Sequence, residues 1–131
     1  MKIALLIVIL MIFCHIIADY NLQGWLASAK QKEWWEKNAP DKMYKNDYKM
    51  ALFMHSFAWS FMVMVPVAIY ALYMKEFSWM QFAWFIWLIV DHYYMDDRKA
   101  NHKTVNLIWD QVWHLESIVL VWIGCVLLIV M

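Results

Sequence analysis

Apolar residues run almost without interruption through four stretches of the chain, about 3–24, 50–74, 77–95 and 105–130, and polar segments separate them. Each run approaches the ~20 residues that carry a helix across a ~30 Å hydrocarbon layer. The pattern therefore predicts an all-α integral membrane protein, a bundle of four transmembrane helices in one domain covering residues 1–131. Little more than Lys75-Glu76 joins the second and third runs, so they form an antiparallel hairpin. The first connection is longer. Its sequence, WLASAKQKEWWEKNAPDKMYKNDYK from residue 25 to 49, mixes Trp25, Trp34 and Trp35 with charges and predicts a helical segment that lies at headgroup level or extends helix one into solvent. Pro40 drives Ala39 out of the helical region and ends that segment, and Pro66 should kink the second membrane helix.

Composition strengthens the membrane reading. With 65% hydrophobic residues, ten Trp, eleven Met and only two Gly among 131, the chain carries more apolar surface than a water-soluble domain can hide. Lys2 and the run after it look like the start of a secretory signal, but no small-x-small cleavage site follows, and the segment is expected to stay. Cys14 and Cys125 lie in apolar helix, where a thiol behaves as a small hydrophobe.

Formal net charge is zero, yet the charges are segregated. Lys30, Lys32, Lys37, Lys42, Lys45 and Lys49 fall in the first long loop, and Arg98, Lys99 and Lys103 near the second, leaving Lys2 and Lys75 for the other face. The positive-inside rule places loops 25–49 and 96–105 in the cytoplasm and both termini outside the bacterial inner (cytoplasmic) membrane. Glu33, Glu36, Asp41 and Asp47 interleave with the loop lysines, so there is no clean basic patch and no nucleic-acid partner is expected.

The polar residues inside the oily runs carry the chemistry. His15, Asp19 and Gln23 are spaced i, i+4, i+8 and stack along one helix face. The last helix repeats the motif in WDQVWHLE, with Asp110 and His114 four apart and Gln111 between them; the second helix adds His55 and the third adds Asp91-His92. Counted at 1.5 Å per residue, these groups lie about 5 to 17 Å from the basic loops on all four helices. Ionisable residues within a bilayer are costly and normally face the bundle interior at a functional site. Imidazole with carboxylate suits a divalent metal such as zinc, whose charge would compensate the buried acids. The candidate ligands are His15, Asp19, His55, His92, Asp110 and His114; Asp19 and Asp91 are the candidate catalytic carboxylates; Gln23 and Gln111 would touch substrate or hold the ligands. Asp91 and His92 differ by 100° around their helix, so only one of them points fully inward. Asp96, Asp97 and His102 are expected in solvent, and Trp109 and Trp113 as cavity walls. The plainer alternative is that His15 and Asp19 only tie helices together.

The His-x-x-x-Asp-x-x-x-Gln pattern at 15–23, His55, the Asp-His pair at 91–92 and DQVWH at 110–114 resemble a family of small bacterial and phage membrane proteins known only as a domain of unknown function. The resemblance covers most of the chain and implies an integral helical membrane protein. Architecture and His/Asp content are more loosely similar to membrane-embedded metal-dependent hydrolases, an analogy that does not fix function. The leading expectation is a metal-dependent hydrolase taking a lipid or headgroup-level substrate from the cytoplasmic side. A holin-like pore former and a proton or metal-ion carrier are the alternatives. The partners implied are the lipid bilayer, a lipid-like substrate and, through Glu116, a second copy of the chain as a homo-oligomer.

Overall fold

The computed structural model describes residues 2–127; the expected end of the last helix at 130 lies outside the described residues. Every regular element among them is helical. In order these are α1 (Lys2–Ile16), α2 (Leu26–Ala29), α3 (Lys32–Asn38), a 3-10 turn (Lys42–Tyr44), α4 (Asp47–Met74), α5 (Trp79–Ala100) and α6 (Leu107–Trp122). Two π-helical turns extend the bundle: Ile17–Asn21 continues α1, and Ile123–Leu127 continues α6. Asn21 thus ends the first helix, rather than residue 24.

Helix starts follow local chemistry. The Ser78 side chain accepts from Met80 N, while Gln81 Oε1 accepts from Ser78 N at 2.7 Å, closing a reciprocal cap on α5. Asn106 accepts from Trp109 N at 3.0 Å and caps α6. The α4–α5 hairpin turns on Lys75, which adopts the left-handed conformation (φ 60), with Glu76 N donating to Ala71 O at 2.9 Å. Pro66 lies inside α4, which runs as one helix of 28 residues.

Lys2–Asn21, Lys42–Met74 and Leu107–Leu127 are long and apolar enough to cross a membrane. The remaining long helix, α5, has 22 residues but carries Asp91, Asp96, Asp97, Arg98 and Lys99 in its second half, so its length is not matched by apolarity. It also extends beyond residue 95, and the expected loop 96–105 shrinks to 101–106.

Away from the long loops, the four long helices pack through Ile7, Met11, Val63, Val67, Leu88 and Val121, all buried. Such contacts depend on close packing, and small residues allow it. A Cβ on Gly124 would fall 2.6 Å from the Trp84 indole. At the other end the two long loops are stitched together: Lys32 N donates to Asn101 Oδ1 at 2.7 Å, Asn101 Nδ2 donates to Lys30 O at 3.1 Å, and Lys103 pairs with Glu33. The expected headgroup segment takes the form of α2 and α3, with Trp25, Trp34 and Trp35 packed edge to face.

Candidate metal centre

Six ionisable side chains meet on the loop side of the bundle. The π-turn after α1 supplies Asp19, α4 His55, α5 His92 and Asp96, and α6 Asp110 and His114, all 5% exposed or less. Asp19 sits where an extra residue per turn re-aims side chains, a feature frequent at functional sites. His92 and Asp96, like Asp110 and His114, are four apart and project from successive turns of one face.

Three overlapping sets bring one donor atom per residue to within 4.8 Å of the others: Asp19 with His55 and His92, His92 with Asp96 and His114, and Asp19 with Asp110 and His114. His55 Nε2 stands 3.4 Å from Asp19 Oδ1 and 3.2 Å from Asp96 Oδ2, and His114 Nε2 stands 3.5 Å from Asp110 Oδ1.

Each carboxylate is held from outside by one oxygen. Lys30 Nζ donates to Asp96 Oδ2 at 2.6 Å, Lys99 Nζ to Asp110 Oδ2 at 2.5 Å, and Gln111 Nε2 to Asp19 Oδ2 at 2.9 Å. The inward atoms are left over. Asp96 Oδ1, Asp110 Oδ1, His55 Nε2 and both ring nitrogens of His92 and His114 are buried without a hydrogen-bond partner. In an apolar interior an unpartnered polar atom costs about 1 to 3 kcal/mol, so this concentration fits the donor set of a cation. Carboxylates oriented by outer donors, with free oxygens turned toward imidazoles, are the usual surroundings of a bound metal.

His15 joins this group from outside the ring of donors. Trp59 Nε1 donates to its Nδ1 at 2.8 Å, which leaves Nε2–H to donate to Gln111 Oε1 at 3.1 Å. Both nitrogens are thereby engaged, and the chain Trp59–His15–Gln111 fixes the amide that holds Asp19 and, at 3.0 Å, Asp110. The Trp59 ring also stacks on His92, with centroids 4.1 Å apart.

Several sequence expectations need correction. Asp96 is not solvated: α5 continues past residue 95, and Asp96 shares the inward face of His92. Of the Asp91-His92 pair it is His92 that faces the cluster. Asp91 instead accepts from Ser117 Oγ at 2.7 Å and Trp113 Nε1 at 3.0 Å, away from the six. Gln23 does not extend the His15–Asp19 stripe, because the helix has ended; its amide donates to the Asp19 carbonyl. The cavity walls are not Trp109 and Trp113, which are exposed at 65% and 41%; Trp59, buried in α4, covers the cluster. Lys30 and Lys99 were legible only as loop charges, although Lys99 follows Asp96 by three residues and His92 by seven, on their face of the helix. His102 is exposed, as expected.

Residues 6–130 match the family described as "Protein of unknown function (DUF3307)", and the chain belongs to it. No curated protein and no solved structure matches it significantly.

Proposed function

We propose that this member of a family of unknown function is a membrane-embedded metal-dependent hydrolase, acting on a lipid or headgroup-level substrate. The observation that carries the reading is the set of inward donor atoms, Asp96 Oδ1, Asp110 Oδ1 and the His55, His92 and His114 nitrogens, which are buried and unpartnered while Lys30, Lys99 and Gln111 hold the outer carboxylate oxygens. The set His92, Asp96 and His114 would hold a divalent ion, zinc by its taste for imidazole and carboxylate, with His55 and Asp110 beside it and Asp19 as further ligand or base. Such an ion would polarise both a water and the substrate oxygen. Asp19 Oδ1, facing the cluster, is placed to take the proton of the attacking water, while Gln111 steadies Oδ2. The membrane is the bacterial inner membrane in this reading, with the loop side cytoplasmic, supported by the nine of the chain's eleven Lys and Arg that lie in the two connections or in the helix ends beside them.

A carrier of protons or metal ions is the second reading. It is favoured by His55, whose Nε2 lies between Asp19 and Asp96 and could carry a proton shared with both. Elemental analysis separates the two. Protein purified in mild detergent without chelator should hold near-stoichiometric divalent metal; His114→Ala should lose most of it and His102→Ala almost none. With added zinc the wild type should alter the profile of a total lipid extract, and Asp19→Asn and Asp110→Asn should not. Folded, metal-free wild-type protein that leaves every lipid unchanged would overturn the hydrolase. Proton flux from the same protein would then identify a carrier, and leakage through all three proteins a pore.

A further inference from the structure

The lysines that steady the cluster also line the way into it. Between the stitched loops lies a cavity of about 370 Å³, walled by Gln23, Lys30, Gln31, Asp96, Lys99 and Lys103. Three lysines line it; each ammonium donates to one carboxylate, Lys30 to Asp96, Lys99 to Asp110 and Lys103 to Glu33, and has two further N–H groups to offer a ligand. The cavities between α4 and α5 and beside α1 are lined almost wholly by apolar side chains. Gln23 Oε1 is buried there without a partner and offers an acceptor to a hydroxyl.

Charge indicates what should enter. Asp19, Asp96 and Asp110 against Lys30 and Lys99 leave one negative charge when the imidazoles are neutral. A divalent ion turns that into one positive charge, in a place where net charge is expensive. An anionic ligand restores neutrality. Lys30 ends α2, Lys99 lies in the last turn of α5 and Lys103 in the connection after it, so the three lysines reach the cavity from separate segments, which suits a tetrahedral anion with several oxygens better than a flat carboxylate.

We propose that this cavity seats a phosphate ester, its anionic oxygens held by Lys30, Lys99 and Lys103 and a hydroxyl of the same ligand held by Gln23. The lysines line the cavity whatever the cluster holds; the charge argument for an anion, and its consequence that the hydrolase substrate is a phosphate ester, rest on the metal-centre reading above. The same chemistry is presented by a phosphoglycerol lipid headgroup and by a free phosphate ester, and competition tells them apart.

The test uses the full chain in phosphatidylcholine nanodiscs, titrated calorimetrically with glycerol 3-phosphate, and with acetate and glycerol as controls, before and after chelation, with metal content measured on each sample. Glycerol 3-phosphate should bind and the controls should not. Lys103→Gln, whose side chain is 64% exposed and touches none of the six clustered residues, should weaken binding about fivefold, the equivalent of ~1 kcal/mol, at unchanged metal content. Loss of the titration in nanodiscs containing phosphatidylglycerol would assign the cavity to a lipid headgroup, and its persistence to a soluble ester. Absence of glycerol 3-phosphate binding in both metal states would overturn the proposal, as would binding indifferent to Lys103→Gln. Binding that survives chelation would leave the phosphate site standing on the lysines alone, and protein that carries no metal before chelation would remove the hydrolase.

Discussion

At the end of the bundle tied by the long loops, the side chains that meet on the axis are Asp19, His55, His92, Asp96, Asp110 and His114; toward the other end the same helices meet through Ile7, Val63, Val67 and Val121. The two halves share helices and crossing geometry but bury opposite chemistry. The apolar half is held by shape, where Gly124 lets Trp84 approach and Trp122 Nε1 donates to Ala4 O at 2.7 Å. The polar half is held by charge balance, where Asp96 and Asp110 each have a lysine on one oxygen and the other oxygen unpartnered. Packing alone would serve a purely structural bundle throughout, so the costly half is where the proposed function has to be tested.

The largest test of this contrast is to remove a balancing charge. Lys30→Met keeps most of the apolar stem but leaves Asp96, 1% exposed, without its cation. Breaking a buried pair from one side costs about 3 to 5 kcal/mol. Thermal unfolding in detergent, followed by tryptophan fluorescence, should show a loss of that order for the metal-free protein, partly restored by added divalent metal and largely absent in Lys30→Arg. A Lys30→Met protein as stable as wild type would mean that the polar half does not depend on charge balance.

The sequence made the two halves visible and blurred their edges. Depth along the helices could be counted, so the loop-side band of His and Asp was legible from His15, Asp19, His55, His92, Asp110 and His114. What could not be counted was where a helix ends. The end of α5 was set too early because Asp96, Asp97, Arg98 and Lys99 read as solvent, and this hid the i, i+4 pair His92–Asp96 and the lysine beyond it. A π-turn has no periodic signature, so Gln23 was projected onto a stripe that the chain had already left. The partition of His15 from the inward donors is also out of reach of the sequence, since it depends on Trp59, forty-four residues away.

In the apolar half the equivalent test is steric. Gly124→Ala would place its Cβ 2.6 to 2.7 Å from three atoms of the Trp84 indole, so either the ring rotates or the helices part. Overpacking of this kind costs about 1 to 3 kcal/mol. The loss should be recovered in the Gly124→Ala/Trp84→Leu double variant, measured as a thermodynamic cycle, with metal content unaffected in both. If Gly124→Ala lowered metal content while sparing stability, the halves would be coupled and the contrast would fail.

The smallest effect is expected at the hairpin turn on the far side from the cluster. Lys75 has φ 60, a conformation in which a side chain crowds the following carbonyl at a cost of about 1 kcal/mol, and which glycine adopts freely. The gain from Lys75→Gly is offset by glycine's greater freedom in the unfolded chain, roughly 0.4 to 1 kcal/mol, so the net change should be a few tenths of a kcal/mol toward stability. Asn, which tolerates the left-handed region through its short polar side chain, should match or slightly exceed Gly because it keeps less unfolded freedom. Neither substitution touches Asp19, the three clustered histidines or the loop cavity, so metal content and glycerol 3-phosphate binding should equal those of wild type. A clear destabilisation by Lys75→Gly would show that the lysine side chain contributes at the turn, and that the apolar end, too, depends on a charge.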